Sequence, residues 1–135
     1  MQPITKMWYS YLEEGKLMGL KCKRCGAVHF PPFPICRDCS GMEMEWVEVS
    51  GEALVDEIAL VAVPDVWFQQ WAPYYFAYAH TAEGAVFDSM LFGIGEDPQA
   101  VFDTYKNAEG KLKVKMEIQQ REGYSYPVYR YVPEG

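Results

Sequence analysis

Four cysteines constrain this chain more than anything else in it. They stand as two Cys-x-x-Cys pairs, Cys22/Cys25 and Cys36/Cys39, in the stretch CKRCGAVHFPPFPICRDC, with ten residues between the pairs. A Cys-x-x-Cys turn lets two sulfurs reach one ion, and two such turns face to face supply four thiolates in tetrahedral geometry. Gly26, directly after Cys25, gives the backbone the freedom such a turn needs. The run PPFP stiffens the tip of the connecting loop. The competing reading is a pair of redox dithiols or disulfides, but a reactive dithiol usually comes as one pair at a helix N-terminus. The spacing therefore predicts a metal site. Zn2+ is the first choice of ion, and iron in a rubredoxin-like site uses the same ligands. Four cysteines fill the coordination shell and leave no open position, so the predicted role is structural, and His29 inside the module is not needed as a ligand.

Zinc with four thiolates carries a net charge of about −2. Lys21, Lys23, Arg24 and Arg37 lie around it in sequence and offset that charge. The same four residues are candidates for a phosphate contact.

The charge of the whole chain is −7, and it is uneven. Residues 1–40 carry six Lys/Arg and three Asp/Glu, a balance of +3, whereas residues 41–135 carry six and sixteen, a balance of −10. An acidic body argues against a general nucleic-acid binder, which needs a basic footprint. No run of about 18 apolar residues exists, so no membrane span is expected. The first residues, MQPITKMWYSYLEEGK, lack a basic start followed by an apolar core, so a secretion signal is not expected either. A cytoplasmic protein with reduced thiols is the expectation.

The segment PITKMWYSYLEEGKL reads as a short amphipathic helix. Pro3 suits its start, Met7, Trp8, Tyr11 and Leu12 form its apolar stripe, and Gly15 ends it. After the cysteines, MEWVEVSGEALVDEIALVAV is strand-like, with a bend or bulge at Gly51. PDVWFQQWAPYY, bracketed by Pro64 and Pro73, reads as a loop. YFAYAHTA and AVFDSMLFGI flank Glu83-Gly84 as a hairpin. Asp97 and Pro98 open a short helix as N-cap and first position. KLKVKMEIQQR alternates Leu112, Val114, Met116 and Ile118 with charged residues, the period of a strand with one face in water. YPVYRYV is the last strand. About five strands with a helix before the final ones suit a small closed barrel of the OB kind, and a small sandwich also fits.

The stretch EEGKLMGLKCKRCGAVHFPPFPICRDCSGMEMEWVEVSGEALV resembles the zinc-ribbon/OB-fold family of acyl-CoA-associated proteins. The shared pattern is a helix ending in Gly-x-Leu, Cys-x-x-Cys-Gly, an aromatic-Pro-Pro stretch, Cys-x-x-Cys and a Trp-initiated strand with Ser-Gly. It covers residues 5–63 well and the remainder more loosely. The resemblance implies a mainly β fold: an N-terminal helix over residues 1–20, a rubredoxin-like zinc ribbon over 21–44 and a C-terminal OB-fold barrel over 45–135. It implies a non-catalytic accessory subunit that docks on a thiolase-like partner and shapes its acyl-CoA site. The stretch NAEGKLKVKM departs from the Gly-x-Pro-Val pattern frequent in the family, so the acyl group does not carry over.

Nothing resembles a nucleophile with its base. His80, Asp88 and Ser89 lie near one another in the predicted hairpin, but there is no nucleophile elbow, and a lone strand histidine is usually structural. The stretch FGIGED lacks the lysine and the glycine spacing of a phosphate loop. The aromatic loop is more informative. Trp67, Phe68, Trp71 and Tyr74 exceed what a small barrel buries readily and are candidates for partner or acyl-CoA contact. Phe76 in the same run reads as core. Two other classes remain open from the residues: a single-strand nucleic-acid module of zinc ribbon plus OB fold, and a rubredoxin-like electron carrier. Lys111, Lys113 and Lys115 form a basic stripe that fits the first of these less well than a solvated strand face.

Overall fold

A computed structural model describes residues 3–62 and 66–133, with the side chains of Val66 and Trp67 outside the described set. The chain runs α1 (Ile4–Glu13), β1 (Met18–Cys22), β2 (Val28–His29), β3 (Met44–Glu48), β4 (Glu52–Val61), a short 3-10 helix η1 (Val66–Trp71), β5 (Tyr74–Thr81), β6 (Val86–Phe92), α2 (Pro98–Asn107), β7 (Lys113–Arg121) and β8 (Tyr124–Tyr131). Neither helix is long and apolar enough to cross a membrane.

Two sheets organise these strands. β1 sits between β2 and β3 in a small antiparallel sheet, and β4-β5-β6-β8-β7 close into a barrel. Numbered from the first barrel strand, that order is 1-2-3-5-4, with α2 between the third and fourth strands and a parallel pairing of β6 with β8. This is the OB arrangement, and closure removes the free edges that a five-stranded sheet would expose. The mainly β fold expected from the residues is present, and the closed ring excludes the sandwich alternative.

Gly51 marks the point where the strand-like stretch divides. Its φ is +84°, and the residues before it pair with β1 while those after it enter the barrel. The bulge lies further on, at Asp56 in β4, between Val55 and Glu57. The hydroxyl of Tyr105 on α2 donates to the Asp56 carbonyl at 2.7 Å, which ties the helix to the bulge. The segment read as a loop after β4 contains η1, a turn too short to show a periodic pattern.

α1 follows its sequence signals closely. Trp8 and Leu12 are its buried residues. At its end the Lys16 N–H donates to the Tyr11 carbonyl at 2.9 Å across Gly15, whose φ is +80°, a Schellman closure. α2 begins at Pro98 after Asp97, whose carbonyl accepts the Val101 N–H, but the Asp97 side chain makes no capping bond.

One core spans both sheets. Trp8 of α1 meets Phe30 of the cysteine module at 5.6 Å and Tyr126 of β8 at 5.9 Å, and Phe30 meets Phe87 of β6 at 5.0 Å. The same cluster continues into the barrel through Val55, Ala77, Ala79, Val114 and Tyr129. A second, smaller cluster on the outside of the barrel gathers Tyr74, Met90 and Val128 under Phe68, Trp71 and Phe76. Full burial of a large side chain contributes roughly 1.5–3 kcal/mol, so this aromatic joint is a substantial link between the cysteine module and the barrel.

Candidate functional site: a four-cysteine metal centre and an aromatic barrel face

The cysteine turns are two copies of one local structure. Cys22 N–H donates to the Ala27 carbonyl and Cys36 N–H to the Gly41 carbonyl, both at 2.8 Å. Gly26 N–H donates back to Cys22 and Ser40 N–H to Cys36, both at 2.9 Å. The equivalent positions Gly26 and Ser40 both have positive φ, +84° and +63°. Glycine adopts that conformation freely, whereas serine pays strain for it.

These turns bring all four sulfurs within 4.8 Å of one another. Cys22 lies 3.6 Å from Cys39 and Cys25 lies 3.5 Å from Cys36, so the closest approaches cross between the turns. A disulfide needs about 2.05 Å. Zinc–sulfur bonds of about 2.3 Å in a tetrahedron put sulfurs roughly 3.8 Å apart. The donor set therefore fits a four-thiolate metal ion. Gly41 belongs to the same fit: a Cβ there would lie 3.2 Å from the Cys39 sulfur and 3.4 Å from that of Cys22.

The thiols also resist sharing the space without a cation. The Cys22 thiol is pulled down to about 7, first by a hydrogen bond from the Cys25 backbone amide. The Ala27 amide favours ionisation of Cys25, but the neighbouring Cys36 thiol, burial and the other thiols outweigh it and push Cys25 up to about 12. Cys39 is also raised: the Gly41 amide favours its thiolate, but burial together with the Cys22 and Cys36 thiols outweighs that. Four thiolates form together only when a cation compensates them. Lys21, Lys23, Arg24 and Arg37 are all solvent-exposed around the centre, and Arg37 stacks 4.6 Å from the Phe33 ring.

The aromatic residues lie on the barrel. Phe68 and Trp71 are half-buried against the second cluster, their rings 6.0 Å apart. Tyr74 is 8% exposed, so a partner reaches little of it. The side chain of Trp67 lies outside the described residues. Trp71 and Tyr74 border a cleft of about 760 Å³ that is otherwise lined by apolar groups such as Leu60, Leu91, Phe92 and Ile94, with Glu96 at its rim. Tyr75 also lines this cleft, is 6% exposed, and its hydroxyl has no hydrogen-bond partner among the described residues. Tyr75 belongs to the aromatic run noted in the sequence, but nothing in that run marked its hydroxyl as facing a cleft.

Arg121 at the end of β7 is the other residue that patterning missed. Its guanidinium carbon lies 5.3 Å from the Phe68 ring centre, 5.7 Å from Trp71, 5.8 Å from Tyr124 and 4.7 Å from Tyr126. The aromatic segment expected to meet a partner thus folds over a cation.

The hairpin histidine does not assemble a triad. His80 Nδ1 lies 2.8 Å from Asp56 Oδ1 at the surface, whereas the buried Ser89 hydroxyl donates to the Pro127 carbonyl at 2.7 Å. The register pairs His80 with Val86, and Ser89 with Ala77.

Comparison with known proteins agrees with this architecture. Residues 10–45 match the model of the ChsH2 rubredoxin-like zinc ribbon domain and contain all four cysteines. A DUF35 domain-containing scaffold protein of Methanocaldococcus jannaschii is 32% identical over 111 residues, covering 76% of this chain and 79% of that protein. A second scaffold protein of this description, from Methanothermobacter thermautotrophicus, is 28% identical over 110 residues, covering 76% and 83%. Among solved structures, one described as an Ltp2-ChsH2(DUF35) aldolase superposes with a TM-score of 0.72 at 21% identity over 97% of this chain and 96% of that one. A DUF35 protein of unknown function from Sulfolobus solfataricus gives 0.61 at 18% identity over 98% and 87%. The rubredoxin-like ribbon, the OB-ordered barrel and the extent of these matches lead to one assignment: the chain belongs to the DUF35 family.

Proposed function

We propose that this chain is a non-catalytic accessory subunit of a thiolase-type acyl-CoA enzyme. It docks on the thiolase-like subunit and shapes that subunit's acyl-CoA site. The observation that carries the reading is the match, over most of both chains, to proteins described as scaffolds. The full-length likeness of fold to a structure described as an Ltp2-ChsH2(DUF35) aldolase fits a role beside a partner protein.

Within that role the parts divide as follows. The metal is Zn2+, with Cys22, Cys25, Cys36 and Cys39 as ligands, and it holds the ribbon rigid against α1. Iron, the alternative ion, would make the chain a coloured, redox-active carrier; zinc would leave it colourless and redox-silent. The proposed units are α1 with its flank, the ribbon and the barrel. The barrel offers the acyl group the apolar cleft beside Trp71 and Tyr74, and its 760 Å³ is in the range of small-molecule sites. Aromatic degradation is the proposed setting, with the small subunit of benzoylsuccinyl-CoA thiolase as one member this chain could be; the acyl group itself is set by the partner. Lys21, Lys23, Arg24 and Arg37 remain candidates for the CoA phosphates. The setting is cytoplasmic.

The test is reconstitution with a thiolase-type protein from the native host. The chain alone should show no thiolysis, the thiolase alone should be slow, and the pair should be fast. Trp71→Ala should lower turnover or weaken assembly by about tenfold, the scale of one interface anchor. Full activity of the thiolase without this chain would contradict the proposal.

A further inference from the structure

The face centred on Arg121 has a composition that nothing above uses. Four aromatic side chains surround the guanidinium, Phe68 and Trp71 from η1 and Tyr124 and Tyr126 from β8, and a fifth, Tyr9 from α1, packs on the two β8 tyrosines. All five are half-buried, and so is Arg121. The β7–β8 register sets Arg121 opposite Tyr124 and Gln119 opposite Tyr126, so the strand period brings these four to one side.

The cation at the centre lacks an anion. Among the described residues the ion pairs are His80–Asp56 and Arg130–Glu117. Arg130, on the neighbouring strand, is gripped at two points by Glu117, at 2.8 and 2.9 Å. Arg121 instead spends its Nε on Gln119 at 2.9 Å, and its other contacts are long: 3.4 Å to the Tyr124 hydroxyl and 3.7 Å to the Met90 sulfur. A guanidinium has five donors in a fork that matches a carboxylate, and here its two terminal nitrogens make only these long contacts. The bland reading is a cation–π staple that holds η1 to the barrel. That reading accounts for the stacking but not for a carboxylate-shaped fork whose terminal nitrogens make only long contacts. Trp, Tyr and Arg are also the residue types that dominate protein interfaces, where a polar group is most selective when apolar neighbours exclude water around it. Residues 41–135 carry a balance of −10, so a cation held among apolar rings is a distinctive point of attraction for an acidic partner group on this part of the chain.

We propose that the Arg121 face is the docking surface for the partner subunit, and that the partner presents to it an Asp or Glu carboxylate set among flat apolar side chains. The inference rests on the accessory-subunit reading and adds the surface, the anchoring residue and the chemistry of the partner's contact.

The test has two arms on the full, metal-loaded chain. The first follows the Arg121 Nε–H and Trp71 indole signals by NMR while titrating N-acetylphenylalanine, an aromatic carboxylate, and its neutral amide. Saturable shifts with the carboxylate, at least tenfold weaker with the amide and lost in Arg121→Gln, are expected. Equal binding of acid and amide, or no binding of the acid, would overturn the carboxylate assignment. The second arm measures assembly with the thiolase-type subunit. Arg121→Glu should weaken it at least tenfold, Arg121→Lys less, and the wild-type affinity should fall with salt while that of Arg121→Gln should not. Unchanged metal content and melting temperature in Arg121→Lys keep the result independent of folding. If the wild type assembles and Arg121→Glu assembles equally well, this inference fails and the accessory role stands. If the wild type does not assemble, the accessory reading itself fails. Arg121-dependent self-association would place a second copy on the face and overturn the proposed occupant.

Discussion

Gly26 and Ser40 occupy the same place in the two cysteine turns, and one of them is strained. Replacing Ser40 by Gly relieves the positive φ but makes the unfolded chain more flexible, so the two effects oppose. The expected net result is a gain of up to about 1 kcal/mol in urea unfolding of the metal-loaded protein. Gly26→Ala should cost about 1 kcal/mol, through backbone strain alone, because a Cβ there meets nothing within 4 Å. Gly41→Ala acts differently. Its methyl would press on two ligand sulfurs, so it should lower metal affinity in a chelator competition more than it lowers stability. Protons compete for the same sulfurs. Cys25 and Cys39 have raised pKa values and still hold protons near neutrality, and Cys22 gains one as pH falls through about 7. Metal binding displaces them, so affinity should rise with pH, more steeply below about 7 than above it, and a flat profile would contradict a four-thiolate site. In the cleft, Tyr75→Phe removes a buried hydroxyl without a partner, and a stabilisation of about 1 kcal/mol is expected in the absence of ligand.

The elements are coupled through Trp8, Phe30 and Phe87, which belong to α1, the ribbon and the barrel in turn. Phe30 is buried where the two sheets meet, and Phe30→Ala should cost about 3–5 kcal/mol. The same coupling predicts that chelating the metal lowers the melting temperature of the barrel as well as the ribbon; a barrel transition that stays in place after chelation would show the two units to be independent. Most elements were legible because their signals are local. Pro3 to Gly15 read as a helix, Asp97-Pro98 as a helix start and residues 112–118 as an alternating strand. The division at Gly51 was only half legible, since β3 and β4 share β-branched composition and a single glycine separates the ribbon strand from the barrel strand. The turn η1 was invisible, being shorter than any period that could announce it. The four metal ligands could be read because each pair sits in one turn. The Arg121 face could not, because Tyr9, Trp71, Arg121 and Tyr126 come from separate elements, and each looks ordinary in its own.

At the scale of the molecule, charge and shape point the same way. A −7 chain whose barrel half carries −10 should not retain single-stranded nucleic acid at physiological salt, and a filter-binding assay with a labelled oligonucleotide should show none. Its chemistry-bearing side chains have structural work: the cysteines share one shell, His80 pairs with Asp56, and Ser89 caps a carbonyl. What the surface offers instead is an apolar cleft and an aromatic face around a cation with no ion-pair partner among the described residues, both reaching Trp71. Surfaces of this kind suit the holding of another protein, in keeping with the relatives described as scaffolds. The most direct measurement is to purify the tagged chain from its native host and identify, by mass spectrometry, what accompanies it at matching stoichiometry. A thiolase-type subunit, lost when Trp71 is changed to Ala, is the predicted result. Recovery of the chain alone, or with nucleic acid, would contradict the account.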